Sequence, residues 1–74
     1  MKIIKTKLVR KVTLDGLMSI NEDVPLGKEY TVDLTTCDLF SWYNHEFGKV
    51  HKKIMVQEVE TGTYLPMELL EPIE

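Results

Sequence analysis

The segment "YTVDL" at residues 30–34 has the clearest structural pattern in this chain. Its apolar residues Tyr30, Val32 and Leu34 alternate with Thr31 and Asp33. Successive side chains of a β-strand point to opposite faces of the sheet, so a period of two is the pattern of a half-buried strand. The alternation therefore predicts a strand whose apolar face contributes to the core.

The chain before this strand has a weaker form of the same pattern. Ile4, Leu8, Val12 and Leu14 share one face, with Thr6 and Arg10 as exceptions to the alternation. We expect a long first strand. In the following "DGLMSINEDVPLGK", the Asp15-Gly16 pair is able to close a tight hairpin or to open a long loop, and we favour the loop.

The chain after residue 49 predicts a hairpin followed by one helical turn. Val50, Ile54 and Val56 are in phase within "VHKKIMVQEV", and "ETG" then turns the chain with Gly62 at positive φ. Pro66 and Pro72 bracket a segment that is too short for an ordinary helix. We therefore predict a single helical turn near residues 67–70 and a short last strand around Ile73.

Four or five short strands, turn signals and one helical turn predict a mainly β fold, a small antiparallel barrel in a single domain spanning residues 1–74. The segments "VPLGKEYTV", "KIMVQEV" and "TGTYLPMELLEPI" carry a further pattern. It consists of Leu26, Gly27, Lys28, Tyr30, Val32, Gly62, Pro66, Glu68, Leu69, Leu70 and Glu71. In this pattern the chain resembles the SH3-like small barrels of short phage and bacterial proteins, most of them of unknown function. The resemblance implies an SH3-like fold and is nearly silent on activity.

Residues 35–49, "TTCDLFSWYNHEFGK", depart from this resemblance, because such proteins usually carry only a short loop there. Four of the six aromatic residues of the chain lie between residues 38 and 47. Leu39, Phe40, Trp42, Tyr43 and Phe47 are spaced as one face of a helix, which Thr36 or Asp38 would cap and Gly48 would end. We expect a short inserted helix or loop. The competing interpretation is a strand and a hairpin through "NHEFG".

Two roles are open for these aromatic residues. A chain of 74 residues buries a small core, and large rings are an efficient way to fill it. Alternatively the rings form an exposed patch, since Trp and Tyr are enriched at the centres of protein interfaces. The candidate partner-binding residues in this second interpretation are Phe40, Trp42, Tyr43, His45, Glu46 and Phe47.

A nucleic-acid interface is the alternative function. Lys49, Lys52 and Lys53 follow the aromatic cluster directly, and small barrels bind nucleic acids with stacked aromatics and lysines. The net charge of -3 opposes this alternative. The basic opening segment, residues 1–14, has a second explanation: it can pair in the sheet with the acidic residues 54–74, because opposite charges across strands are favourable.

We expect no enzyme, no metal and no cofactor. Cys37, His45 and His51 are the only Cys and His residues, and they lack the paired short spacings of a zinc site or the signature of a Cys-His nucleophile. The four glycines are isolated, so no phosphate-binding loop is present. The single cysteine excludes an internal disulfide and indicates either a reducing compartment, by default the cytoplasm, or no dependence on redox conditions. The sequence contains no uninterrupted apolar run of the length that a signal peptide or a membrane span needs, so we expect no insertion into a membrane.

The sequence thus predicts a non-catalytic protein-binding module that uses the aromatic segment 38–47. The resemblance to phage-type proteins implies a modulator or inhibitor of a host protein, by analogy alone. A homodimer through the same patch is a variant of this prediction, because small domains often extend their cores across a two-fold axis.

Overall fold

A computed structural model describes residues 1–73 as a mainly β structure. The elements are β1 (Ile3–Leu8), β2 (Glu29–Asn44), β3 (Lys49–Glu58), β4 (Tyr64–Pro66), the 3-10 turn η1 (Met67–Leu69) and β5 (Leu70–Pro72). The strands form one antiparallel sheet in the order β4-β3-β2-β1-β5. This confirms the mainly β class, the five antiparallel strands and the single helical turn.

The pairing of β1 with the first part of β2 forms the centre of the sheet. Tyr30 and Val32 are buried, as the alternation in "YTVDL" predicts. Thr6, an exception in the sequence pattern, lies opposite Tyr30 and is also buried. Its hydroxyl donates a hydrogen bond of 2.8 Å to the carbonyl oxygen of Tyr30. Burying a hydroxyl that has such a partner costs little folding free energy. The core consists of Leu8, Tyr30, Val32, Val56, Leu65 and Leu69.

The prediction of a long first strand is wrong, because β1 ends at Leu8. The chain then folds back on itself: the Thr13 N–H donates to the Met18 carbonyl at 2.9 Å, and a single bridge joins Val12 to Ser19. The Asp15-Gly16 pair therefore lies in a tight turn within the loop. Val12 and Leu14 are exposed, so apolar residues in phase with β1 do not extend it where no neighbouring strand is available.

Residues 62–72 connect the two edges of the sheet. Gly62, at φ +73°, turns the chain from β3 into β4, as predicted. The three residues of η1 then connect β4, at one edge, to β5, at the other, and bury Leu69 completely. In β5, Glu71 lies directly opposite Lys7 of β1. The expected pairing of the basic opening segment with the acidic closing segment is thus confirmed.

A wide bulge divides β2 into two parts. Between Asp33, opposite Gln57, and Asp38, opposite Met55, the four residues 34–37 stand against the single residue 56 of β3. The Asp33 carboxylate accepts hydrogen bonds from the Thr35 N–H at 3.0 Å and from the Thr35 hydroxyl at 2.6 Å. The Thr36 hydroxyl accepts the Gln57 N–H at 2.9 Å. These side chains satisfy backbone groups that the bulge removes from the ladder.

The prediction of a short inserted helix or loop at residues 35–49 is wrong. β2 continues through the bulge to Asn44, and β3 begins at Lys49, so the competing interpretation of a hairpin through "NHEFG" is confirmed. Aromatic residues favour extended structure, and cross-strand pairs with β3 supply contacts such as Trp42 opposite His51. The helical spacing of the same rings is a coincidence of the sequence.

The burial of Leu69 predicts that Leu69→Ala strongly destabilises the protein. Removing a fully buried leucine side chain typically costs about 2–5 kcal/mol, a large part of the stability of a small domain. Urea denaturation followed by circular dichroism should show a much lower midpoint or no folded baseline. The matched control, Leu26→Ala, truncates a leucine that is 61% exposed and should shift the midpoint little. Equal effects of the two variants would contradict the described core.

Candidate interaction surface

The outer parts of β2 and β3 form a two-stranded ribbon, here called the distal hairpin (residues 39–54). β1 pairs with β2 only at residues 29–33, and β4 pairs with β3 only at residues 55–57. Within the part of the chain that the structure describes, the distal hairpin therefore has no flanking strand on either side. At about 3.3 Å per residue, its six paired positions on each strand extend roughly 20 Å beyond the flanked part of the sheet.

Asn44 organises the turn at the tip of the distal hairpin. Its side-chain oxygen accepts hydrogen bonds from the N–H groups of Glu46 at 2.9 Å and Phe47 at 3.3 Å. The Gly48 N–H donates to the Asn44 carbonyl at 2.8 Å, and Gly48 has φ +64°. Asn is suited to hydrogen-bond the backbone two residues ahead, and Gly accepts positive φ without strain. This local chemistry ends β2 and returns the chain into β3.

One side of the distal hairpin, the apolar face, carries three cross-strand pairs. They are Leu39 with Ile54, Ser41 with Lys52, and Tyr43 with Val50. Directly opposite residues of an antiparallel pair lie on the same face. The four apolar members are each between 52% and 59% exposed. They form two exposed apolar pairs on either side of the Ser41 and Lys52 pair, and exposed apolar surface bordered by polar residues is typical of interaction sites.

The other side, the aromatic face, is better covered. Phe40 contacts Tyr64 of β4, with ring centroids 5.2 Å apart, and Trp42 contacts His51 at 5.7 Å. Phe40 is 39% exposed and Trp42 is 36% exposed. Tilted ring pairs at these distances are favourable contacts. The Phe40 ring thus packs the distal hairpin against β4, and the Trp42 ring packs the two strands of the hairpin against each other.

The six predicted partner-binding residues all lie on the distal hairpin, but on different sides of it. Phe40 and Trp42 are on the aromatic face and Tyr43 is on the apolar face. His45, Glu46 and Phe47 are in the exposed turn. The sequence interpretation missed Leu39, Val50 and Ile54 as site residues. The sequence does show that Val50, Ile54 and Val56 are in phase. It does not show that only Val56 is covered by the core, whereas Val50 and Ile54 are exposed.

The three candidate nucleic-acid-binding lysines do not form one row. Lys52 is on the apolar face, whereas Lys49 and Lys53 are on the aromatic face. The Lys53 ammonium group lies 2.6 Å from a carboxylate oxygen of Asp15 and 2.7 Å from one of Glu68. Only 10% of the Lys53 side chain is exposed. Two carboxylates thus already neutralise Lys53, the one of these three lysines that has an ion pair among those described.

This ion cluster joins the base of the distal hairpin to the loop after β1 and to η1. Lys53 lowers the pKa of the Asp15 carboxyl, and a hydrogen bond from the Thr13 hydroxyl lowers it further. Lys53 also lowers the pKa of Glu68, which accepts the Leu14 N–H at 2.8 Å. Both carboxylates raise the pKa of Lys53. The cluster therefore stabilises the folded chain while all three groups are charged.

The structure does not bring Cys37, His45 and His51 together. The Cys37 sulfur lies 3.2 Å from the Met67 sulfur, His45 contacts the Tyr43 ring edge-on at 4.7 Å, and His51 contacts Trp42. Residues 1–73 contain no group of three or more His, Cys, Asp or Glu side chains placed to hold a metal ion.

An open depression of about 300 Å³ lies at the base of the apolar face. It is lined by Ile54, Lys52 and Lys53 of β3 and by Met67 and Glu68 of η1. No helix within residues 1–73 has the length and apolar character needed to cross a bilayer. Comparisons of the chain with protein-family models, curated proteins and solved structures find no match.

The ion cluster predicts that the effect of Lys53→Gln on stability depends on pH. The lowered pKa values of Asp15 and Glu68 mean that their contribution is complete above the ordinary values of 3.8 and 4.5 and is lost as the pH falls through the folded-state values. Lys53→Gln should therefore lower the melting temperature near neutral pH, and this difference from the wild type should shrink toward about pH 2.

Thermal melts followed by circular dichroism at several pH values measure this difference. Lys52→Gln is the matched control, because it removes the same charge from the neighbouring residue, which has no ion pair among those described. Its melting temperature should follow that of the wild type. A deficit of Lys53→Gln that stays constant from neutral to acid pH would contradict the assignment.

Proposed function

We propose that this protein is a non-catalytic protein-binding module whose distal hairpin presents the apolar face to another protein. The observation that carries this proposal is the group formed by Leu39, Tyr43, Val50 and Ile54, each more than half exposed on one face of a ribbon without flanking strands. Exposing these side chains to water is unfavourable, and covering them releases the hydrophobic free energy that drives protein association.

The chemistry of the apolar face indicates what the partner presents. Tyr43 supplies a large ring with a polar atom, a combination common at interface centres. Lys52 stands between the two apolar pairs, so a partner carboxylate opposite it would orient the complex. The depression beside Ile54 and Met67 is open to an apolar side chain of the partner. We therefore propose a partner surface that is apolar and carries one acidic group.

We also propose the finer fold assignment, an SH3-like barrel. The support is that three residues of η1 connect strands at opposite edges of the sheet, which requires the sheet to curl strongly. The resemblance to phage-type small barrels extends the proposal to a modulator or inhibitor of a host protein, and this step is analogy. A free and exposed Cys37 fits a reducing compartment such as the cytoplasm.

The proposal predicts that Leu39→Ser combined with Ile54→Ser strongly weakens partner capture without unfolding the protein. Loss of interface-centre contacts of about 2 kcal/mol weakens binding roughly thirtyfold. The measurement is quantitative capture from lysate by the tagged protein, followed by the Kd of the main captured protein in purified form. Leu14→Ser combined with Leu26→Ser is the matched control, because both leucines are exposed and lie outside the distal hairpin.

The control should capture the same protein as the wild type with an unchanged Kd, and circular dichroism should show the same fold for all three chains. Capture of an identical set of proteins by the wild type and by the Leu39 and Ile54 double variant would contradict the proposal.

The nucleic-acid alternative stays a prediction with its own test. Fluorescence polarisation with a random single-stranded DNA at low salt should give no Kd tighter than about 10⁻⁴ M, the weak end of non-specific binding. The reasons are the net charge of -3 and the two carboxylates that hold Lys53. Tight binding that weakens steeply with added salt would favour the alternative.

A further inference from the structure

Both edges of the distal hairpin are unpaired within residues 1–73. No strand pairs with the outer edge of β2 at residues 39–44 or with that of β3 at residues 49–54, and on the β2 side the Leu39 N–H donates to the Asp38 carboxylate at 2.8 Å. A free edge presents a row of unpaired N–H and C=O groups, which is a template for another strand. A two-stranded ribbon is also only marginally stable in water, and additional strands stabilise it. The edges therefore favour strand addition.

The two edges differ in how they are protected. The β3 edge carries Lys49 and Lys52, which have no ion pair among those described, and lysine on an edge strand opposes pairing with other chains. The β2 edge, with the sequence "LFSWYN" at residues 39–44, contains no charged residue, no proline and no glycine. Its three aromatic residues, Phe40, Trp42 and Tyr43, have high β propensity. The β2 edge is thus the one open to an added strand.

We propose that the strand added to this edge is the same segment of a second copy of the chain. The two copies pair antiparallel about a two-fold axis at Ser41, and the hairpins join into a four-stranded sheet. In this register Leu39 lies opposite Tyr43 of the second copy, and Phe40 lies opposite Trp42 of the second copy. Aromatic and aliphatic cross-strand pairs stabilise antiparallel sheets.

Charge is the reason for choosing a second copy as the occupant. An uncharged edge disfavours a strand that brings its own charges, whereas residues 39–43, which this register places opposite the same residues of a second copy, bring none. At the ends of the paired segment, Asp38 faces Asn44, so no like charges stand opposite each other. A register centred on Trp42 would instead place Phe40 opposite Asn44 and Leu39 opposite His45. This alternative register contains neither the Leu39–Tyr43 pair nor the Phe40–Trp42 pair.

The dimer creates a larger binding surface. A two-fold axis perpendicular to the sheet keeps the apolar faces of both hairpins on the same side, so the two groups of exposed apolar residues become neighbours. The edge pairing itself does not depend on the proposed partner-binding function, because the copies meet at the β2 edge and a partner would contact the face. Failure of one proposal therefore leaves the other standing.

An interface of seven residues on each chain, residues 38–44, belongs to the small class, below about 1,200 Å² in total, which is typical of weak association. We expect the dimer to form with a Kd in the range of tens to hundreds of micromolar, corresponding to about −5 to −6 kcal/mol. Sedimentation equilibrium over about 10 µM to 1 mM should show the mass rising from the monomer value of 8.6 kDa toward twice that value.

Ser41→Glu tests the interface directly. Within one chain the new carboxylate faces Lys52 and forms a favourable cross-strand pair, whereas at the two-fold axis it faces the same carboxylate of the second copy. Like-charge contacts at an interface are costly, so dimerisation should weaken about tenfold or more. Lys52→Gln is the matched control, since it changes the net charge by the same amount on β3, and its dimerisation should equal that of the wild type.

Disulfide cross-linking tests the register. In a Cys37→Ser background, Ser41→Cys places two thiols at directly opposite positions, where Cα atoms about 4.5–5.5 Å apart permit a disulfide. Mild oxidation should give a covalent dimer, and Val50→Cys on β3 should give far less. A wild-type chain that stays monomeric at about 1 mM would overturn the proposal. A dimer that Ser41→Glu leaves intact, or that Ser41→Cys does not cross-link, would overturn it as well.

Discussion

The bulge in β2 is the constraint on which the architecture depends. The Asp33 carboxylate holds the Thr35 hydroxyl and N–H, which lowers the pKa of Asp33, and the Thr36 hydroxyl binds the Gln57 N–H across the strands. At the bulge, β2 contains three more residues than β3. These hydrogen bonds supply partners for backbone groups that the bulge removes from strand pairing. One strand thereby serves two purposes, the core on one side of the bulge and an exposed ribbon on the other.

The distal hairpin is supported at its base by two different kinds of contact. On the aromatic face, Phe40 lies against Tyr64, and Lys53 reaches Asp15 and Glu68. The first contact is a packing of two aromatic rings, while the second is electrostatic and requires charged carboxylates. Both lie on the same face, so the apolar face remains uncovered. The asymmetry between a supported face and an exposed face is what makes the distal hairpin a suitable binding surface.

The sequence predicted more of the fold than of the site. Three predictions agree with the structure: the strand at "YTVDL", the turn at Gly62, and the helical turn between Pro66 and Pro72. Each depends on local residue chemistry. The predicted length of the first strand and the predicted helix or loop at residues 35–49 are wrong. Leu14 is in phase with β1 but has no neighbouring strand, and the rings of residues 39–47 fit a helical and an extended pattern equally. Pairing with β3 decided between the two patterns.

By itself, the sequence determined that this chain forms antiparallel strands around a small apolar core, since side-chain alternation and turn residues act over a few neighbouring positions. Only the tertiary structure decided which apolar residues stay exposed. Val50 and Val56 have the same place in the alternation of β3, yet one is exposed and the other is buried. The difference arises because the core covers one part of β3 while the other part extends past β4, and no pattern within the strand records where its neighbours end.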